Sequence, residues 1–239
     1  MSALNSVGPK ARPDPAALLP GLKDANPARR SAAARAVLAI DPAHQAARDA
    51  LVELAFSDWD AQRGNFDRQL LLQLKPVPKA AVDRLLKQLD DPNYGTWYPA
   101  AGAFTQMQAL EPESAPTLIV AAKKTKRAIV WMFLLPAIGR AADGSKEAIA
   151  FLAEQAKAGP QPERFTADFT SKVAPAPGGM RLDTAARLDL AAVQGLGQAG
   201  PAAKEQAVPI LKPALKSPTP FERREAGCHQ IGREKLGQR

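Results

Sequence analysis

Apolar residues return along this chain in short stripes at helical spacing, each stripe ending in a polar, proline-containing turn. Leu18, Leu19 and Leu22 form a brief apolar face, and Lys23 to Pro27 supply a turn. Within that turn Asp24 and Asn26 are placed to accept from free amides at the next helix start. From Ala28 onward, Ala32, Ala33, Ala36, Val37 and Ile40 keep three-and-four spacing, so the segment predicts a helix, a tight turn and an alanine-striped second helix. The same grammar returns in 81–93, where Leu85, Leu86 and Leu89 precede an Asp-Asp-Pro-Asn turn. It recurs in 114–142, in 147–158 with a delayed partner at 181–200, and in 202–232, with a less regular pair around 43–74. About six hairpins are expected, mostly about 30 to 36 residues apart, within the range of helical repeat arrays.

Most of the 22 prolines stand at segment edges, as in Asp41-Pro42, Asp91-Pro92, Glu111-Pro112 and Gly200-Pro201. There a proline starts a helix without removing a needed hydrogen bond. The exception is 159–181, rich in Pro and Gly and without helical period. It predicts one long loop insertion, either a functional loop or a tolerated one. The expected organisation is a flexible segment over 1–13 and one repeat domain over 14–239. Leu22, Ala33, Val37, Leu86, Leu89, Ile138, Leu152, Ala192, Leu196, Leu211 and Ile231 are expected inside it.

The repeated unit resembles the HEAT family, especially its short bacterial form related to bilin-lyase repeats. Leu18, Pro20, Leu22, Asp24, Pro27, Arg30, Ala32, Ala33, Ala36 and Val37 follow that family's pattern in the first unit, and Val208, Leu211, Arg224, Ala226, Ile231 and Gly232 follow it in the last. In the fourth unit Trp131 stands near the family's Arg position. The resemblance implies an all-α fold, a right-handed α-solenoid of about six stacked hairpins with a curved binding face. It implies no activity.

Composition adjusts this picture in three ways. Aromatics are 5% of the chain, which favours helices packed through small side chains over a sheet. The formal charge of +8 attracts nucleic acid, acidic protein faces or anionic lipid without choosing among them. A single cysteine, Cys228, excludes an intramolecular disulfide framework and a multi-cysteine metal site. No apolar stretch approaches the roughly 20 residues that span a bilayer, and the first residues lack a signal-peptide core. A cytoplasmic location is therefore expected.

Candidate chemistry is sparse. The histidines are His44 and His229, and neither stands in a nucleophile motif. Cys228 and His229 are adjacent, so on a helix their side chains diverge by about 100°. Gly195-Leu196-Gly197 lacks the preceding strand of a phosphate-binding turn and is expected to end a helix. No catalytic residue, metal ligand or cofactor site is expected. Two clusters are candidate partner-binding residues. Tyr94, Trp97 and Tyr98 have i, i+3, i+4 spacing and suit either stacking against a partner or anchoring one repeat on the next. Lys123, Lys124, Lys126 and Arg127 form the densest basic run, suited to phosphate contact or to a helix C-terminus.

The function this predicts is a non-enzymatic HEAT-repeat scaffold that mediates protein–protein interaction through its concave face. The alternative is a basic, HEAT-like nucleic-acid-binding protein. An enzyme resembling HEAT-like alkylpurine DNA glycosylases fits less well, because Trp59, Trp97 and Trp131 are followed one turn later by Arg63, Ala101 and Leu135, none of them an acid.

Overall fold

The computed structural model describes residues 15–62, 65–158, 165 and 184–214, and among them the regular structure is helical, with no strand. Two compact units are present, the first ending at Arg84 and the second beginning at Leu85. The segment 1–13, nearly all of the 159–181 insertion, Cys228, His229, Arg224 and Ile231 lie outside the described residues, as does the side chain of Leu211.

In the first unit α1 (Pro15–Leu18) runs into a 3-10 turn (Leu19–Lys23) before α2 (Pro27–Ile40). Asp24 Oδ1 accepts from Asn26 N at 2.8 Å, and Asn26 Oδ1 accepts from Ala28 N at 2.9 Å. These bonds satisfy amides that a helix start leaves open. The 3-10 turn packs on α2 through Gly21, where a Cβ would come within 2.8 Å of Ala33 Cβ. After α2, His44 opens α3 (Gln45–Ala55) as its cap, accepting from Ala47 N at 3.4 Å. This histidine has a local structural role.

Two short helices follow, α4 (Asp58–Gln62) and α5 (Phe66–Leu72). Asn65 precedes α5 at φ 60° and makes no side-chain cap. Asp60 supplies the cap instead, accepting from Asp67 N at 2.8 Å and Arg68 N at 3.0 Å. Asp67 Oδ1 in turn accepts from Ser31 Oγ at 2.7 Å and from Arg35 Nε and Nη2 at 3.0 and 2.7 Å. Both carboxylates are fully buried, a cost that these donors offset, with Asp67 Oδ2 left without a partner among the described residues.

Helix α6 (Lys79–Leu89) leads to the second unit, which contains α7 (Tyr94–Gln106), α8 (Ala115–Lys124), α9 (Ala128–Ala141), α10 (Lys146–Ala158), α11 (Thr184–Gln198) and α12 (Lys204–Ala214). Their contacts sort them into two layers. Helices α8, α10 and α12 pack side by side, as do α7, α9 and α11, and the layers meet through helices that are neighbours in the chain, such as α8 with α9 and α10 with α11. The α9–α11 contact is the most extensive. At their crossing, a Cβ on Gly139 would fall inside the Gly195 carbonyl, and one on Gly195 would sit 2.6 Å from Leu135 O. Gly195 therefore sits in the last turn of α11, which ends at Gln198 as the Gly195-Leu196-Gly197 run suggested, and there it also lets two backbones meet.

Arg140 lies near the C-terminus of α9 and donates to Phe104 O at 2.5 Å and Gln198 Oε1 at 3.0 Å. Burial pushes its pKa down to about 10. Phe104 is in the last turn of α7 and Gln198 ends α11, so the guanidinium sits where three helix C-termini converge. Their partial negative charge offsets part of its desolvation.

The core follows the expected stripes with two shifts of register. Leu22, Val37, Leu89, Ile138, Leu152, Ala192 and Leu196 are buried. Ala33 and Leu86 are half-buried, and their neighbours Ala34 and Leu85 take the interior positions at 0% exposure. Adjacent helical residues differ by about 100°, so a stripe wider than one face leaves the choice to the packing partner. Pro99 and Pro136 depart from the edge placement of most prolines and lie inside α7 and α9. No helix among the described residues is long and apolar enough to cross a membrane.

The glycine crossing is directly testable. Gly139→Ala should lower unfolding free energy by about 1–3 kcal/mol or more, since the opposing atoms are backbone and cannot rotate away. Gly102, inside α7, has open space where an added methyl would stand. Gly102→Ala should therefore raise stability by about 0.4–1 kcal/mol. Urea denaturation of both variants checks the contrast.

Candidate functional site

The turn between α6 and α7 builds one half of the candidate site. Asp91 Oδ1 accepts from Asn93 N at 2.7 Å, and Asn93 Oδ1 accepts from Gly95 N at 2.9 Å, the arrangement already seen at Asp24 and Asn26. With α7 started at Tyr94, the i, i+3, i+4 spacing brings Tyr94, Trp97 and Tyr98 to one side. The tyrosine rings stack at 4.9 Å between centroids, 17° from parallel. Trp97 meets Tyr94 edge-on at 5.2 Å and Tyr98 at 5.8 Å. Tyr94 is 49% and Tyr98 38% exposed. Partial desolvation, then Tyr98 through its charge and hydrogen bond, hold the Tyr94 phenol above its ordinary pKa.

The turn between α8 and α9 builds the other half. Thr125 Oγ1 accepts from Arg127 N at 3.2 Å, and the Arg127 side chain reaches back to the start of the same unit. It donates to Leu89 O at 2.5 Å and to Asp91 O at 3.0 Å. Its guanidinium carbon lies 4.7 Å from the Trp97 ring centroid. One planar cation thus bonds the carbonyl that ends α6, braces the next turn and covers an indole, a combination available to arginine and not to lysine.

The other basic residues are placed differently. Lys124 Nζ pairs with Asp90 Oδ2 at 2.9 Å, with both side chains more than two-thirds exposed, a geometry worth about 0–1 kcal/mol. Lys123 Nζ lies 5.5 Å from the Phe151 ring centroid. Lys123 and Lys124 occupy the last turn of α8, where positive charge is favourable, and Lys126 is exposed. The structure therefore joins the two clusters through Arg127 and Trp97, while Lys124 is held by an acid and Lys123 faces an aromatic ring.

Sequence reasoning missed Val120, which is 63% exposed and lies three and four residues before Lys123 and Lys124 on the same helix. A lone valine ahead of lysines carries no signal in sequence. Arg30 donates to the backbone carbonyls of Asp24 and Ala25 at 2.8 and 3.2 Å. Trp131 is buried, with its ring 5.7 Å from that of Phe165. Among the described residues no group of three metal-binding side chains is present. The result is a pair of exposed, stacked rings beside an arginine whose guanidinium is fixed by two carbonyls and an indole.

Two measurements test this geometry. Arg127→Lys should lose about 1–3 kcal/mol of stability in urea, close to the loss for Arg127→Gln, because charge without the planar fork cannot serve both carbonyls. Lys124→Gln should change stability by less than about 1 kcal/mol. Second, the chain has two tyrosines, so phenolate absorbance resolves them. The component lost in Tyr94→Phe should titrate above pH 10.

No protein-family model matches this chain, and no curated protein does. Among solved structures, an engineered protein from the Northeast Structural Genomics Consortium aligns at 19% identity with a TM-score of 0.41, covering 94% of this chain and 98% of its own. A second engineered protein from that consortium aligns at 16% identity with a TM-score of 0.39, covering 93% and 99%. At these values the likenesses carry no argument about architecture or activity.

Proposed function

We propose that this protein is a non-enzymatic, HEAT-like helical scaffold that binds another protein through the surface formed by Tyr94, Trp97, Tyr98 and Arg127. The observation that carries this reading is a stacked, solvent-exposed tyrosine pair beside a tryptophan and an arginine already locked in place. Tyr, Trp and Arg dominate the energetics of protein interfaces, and preordered side chains lose less entropy on association. Lys123, Lys124, Lys126 and Val120 extend the candidate surface along the next repeat.

Support for the repeat architecture comes from long-range side-chain bonds, most of which span 32 to 38 residues. Ser31 to Asp67, Arg127 to Asp91 and Arg140 to Phe104 each span 36 residues. A repeat about this long, stacked on its successor, produces that pattern. The two helix layers of the second unit are what stacked hairpins would give. The right-handed solenoid and the HEAT resemblance are proposed on this basis.

Nucleic acid is the second reading, favoured by the net charge of +8. Phosphate binding needs cations that can leave water for the backbone. Arg127 is instead held by two carbonyls and an indole.

The deciding experiment pairs site-specific photo-crosslinking at position 98 with duplex DNA titrations at several salt concentrations. The scaffold reading expects a discrete protein adduct at position 98, lost in Trp97→Ala, and no duplex binding near physiological salt. Duplex binding that persists there, with a salt slope lowered by about 0.9 for each phosphate contact removed by Lys/Arg→Gln changes at 123, 124, 126 and 127, would replace it with the nucleic-acid reading.

A further inference from the structure

The first unit contains a cavity of about 300 Å³ that the interaction surface does not involve. One wall is the small-residue side of α2, where Ala28 and Ala32 leave room beside Ser31. Trp59 and Phe66 supply two aromatic rings, and Arg35 and Asp60 supply charge. Phe66 is 59% exposed, so its ring is open to solvent at the edge of the cleft.

The polar groups decide what sign of ligand fits. Asp60 is fully buried and both of its oxygens already accept backbone amides, so Asp60 is not left as an open carboxylate for a cation. Arg35 is different. Its side chain is 43% exposed, and Asp67 holds it through Nε and Nη2, with Ser31 steadying the same carboxylate oxygen. That grip orients the guanidinium plane and leaves Nη1 without a bond among the described residues. An oriented guanidinium edge is a receptor for a carboxylate or a phosphate.

We propose that this cavity binds a planar aromatic molecule bearing one terminal anionic group, its ring against Trp59 and Phe66 and its anion on Arg35. The volume stands at the lower end of ligand pockets, which suits a one- or two-ring ligand. Arg35 pairs with Asp67, and Arg68 lies within electrostatic reach of Asp60, so recognition rests on directed N–H donors more than on net field. Carboxylate and phosphate share this chemistry.

The test titrates the full chain with 2-naphthoate, 2-naphthyl phosphate, neutral 2-naphthamide and cationic 2-naphthylmethylammonium. The readout is the indole N–H resonance of Trp59, assigned with Trp59→Phe. Saturable shifts at Trp59 are expected for the anions, with the amide about tenfold weaker and the cation weaker still. Whichever anion binds more tightly identifies the ligand class. Arg35→Gln should abolish the preference for anion over amide. Because that change strands buried Asp67, Phe66→Ser serves as a second variant. Its exposed ring can be removed without opening a core, and affinity should fall about fivefold. An unshifted Trp59 resonance, equal affinity for amide and carboxylate, preference for the cation, or unchanged affinity in Phe66→Ser would each overturn the proposal.

Discussion

Helices α9 and α11 meet backbone to backbone, and the arrangement of the second unit depends on that approach. Two glycines remove the side chains that would hold the axes apart, and the resulting contact is the most extensive in the unit. Close approach shortens every neighbouring distance. It lets the side chains of Leu135, Ile138, Leu152 and Leu196 reach full or nearly full burial around the crossing. It also brings the C-termini of α7, α9 and α11 near enough for Arg140 to bridge them. A buried guanidinium is costly in isolation. Here the cost is offset by one helix-end carbonyl, Phe104 O, and by the side-chain oxygen of Gln198.

Arginine has the same architectural use elsewhere. Arg127 bonds the carbonyls of Leu89 and Asp91, Arg30 those of Asp24 and Ala25, and Arg48, 7% exposed, that of Pro76 at 2.5 Å. Helix ends leave carbonyls without intrahelical partners, and a chain of short helices has many such ends. Part of the net positive charge is therefore a consequence of joining short helices by tight turns. These guanidiniums keep their charge, but their positions are fixed by carbonyls, so they are less free to move onto a phosphate.

The two candidate sites are built on different physical terms. The surface at Tyr94, Trp97 and Tyr98 is made of stacked, exposed rings, and its rigidity comes from Arg127 in the turn that precedes α9. The cavity beside α2 is concave, with buried carboxylates that orient one arginine. An open aromatic surface suits a macromolecular partner, whereas a small concave cleft suits a small molecule. Their chemistries are independent, so each can be present without the other.

The sequence by itself determined the all-helical class and the turn chemistry. Both are local, written in apolar spacing and in Asp, Asn and Pro at helix starts, and the expected bonds at Asp24 and Asn26 are present. It also located the two candidate clusters as separate groups, because each is contiguous within a few residues. Tertiary structure alone decided that Trp97 and Arg127 touch, that Leu85 and Ala34 rather than Leu86 and Ala33 face inward, and that Gly195 is a crossing point. It likewise decided that Asp60 and Asp67 are buried, which nothing near them in sequence signals. Each of these depends on which helix lies against which, through contacts between residues distant in the chain, whereas spacing along one helix specifies only a face about a hundred degrees wide.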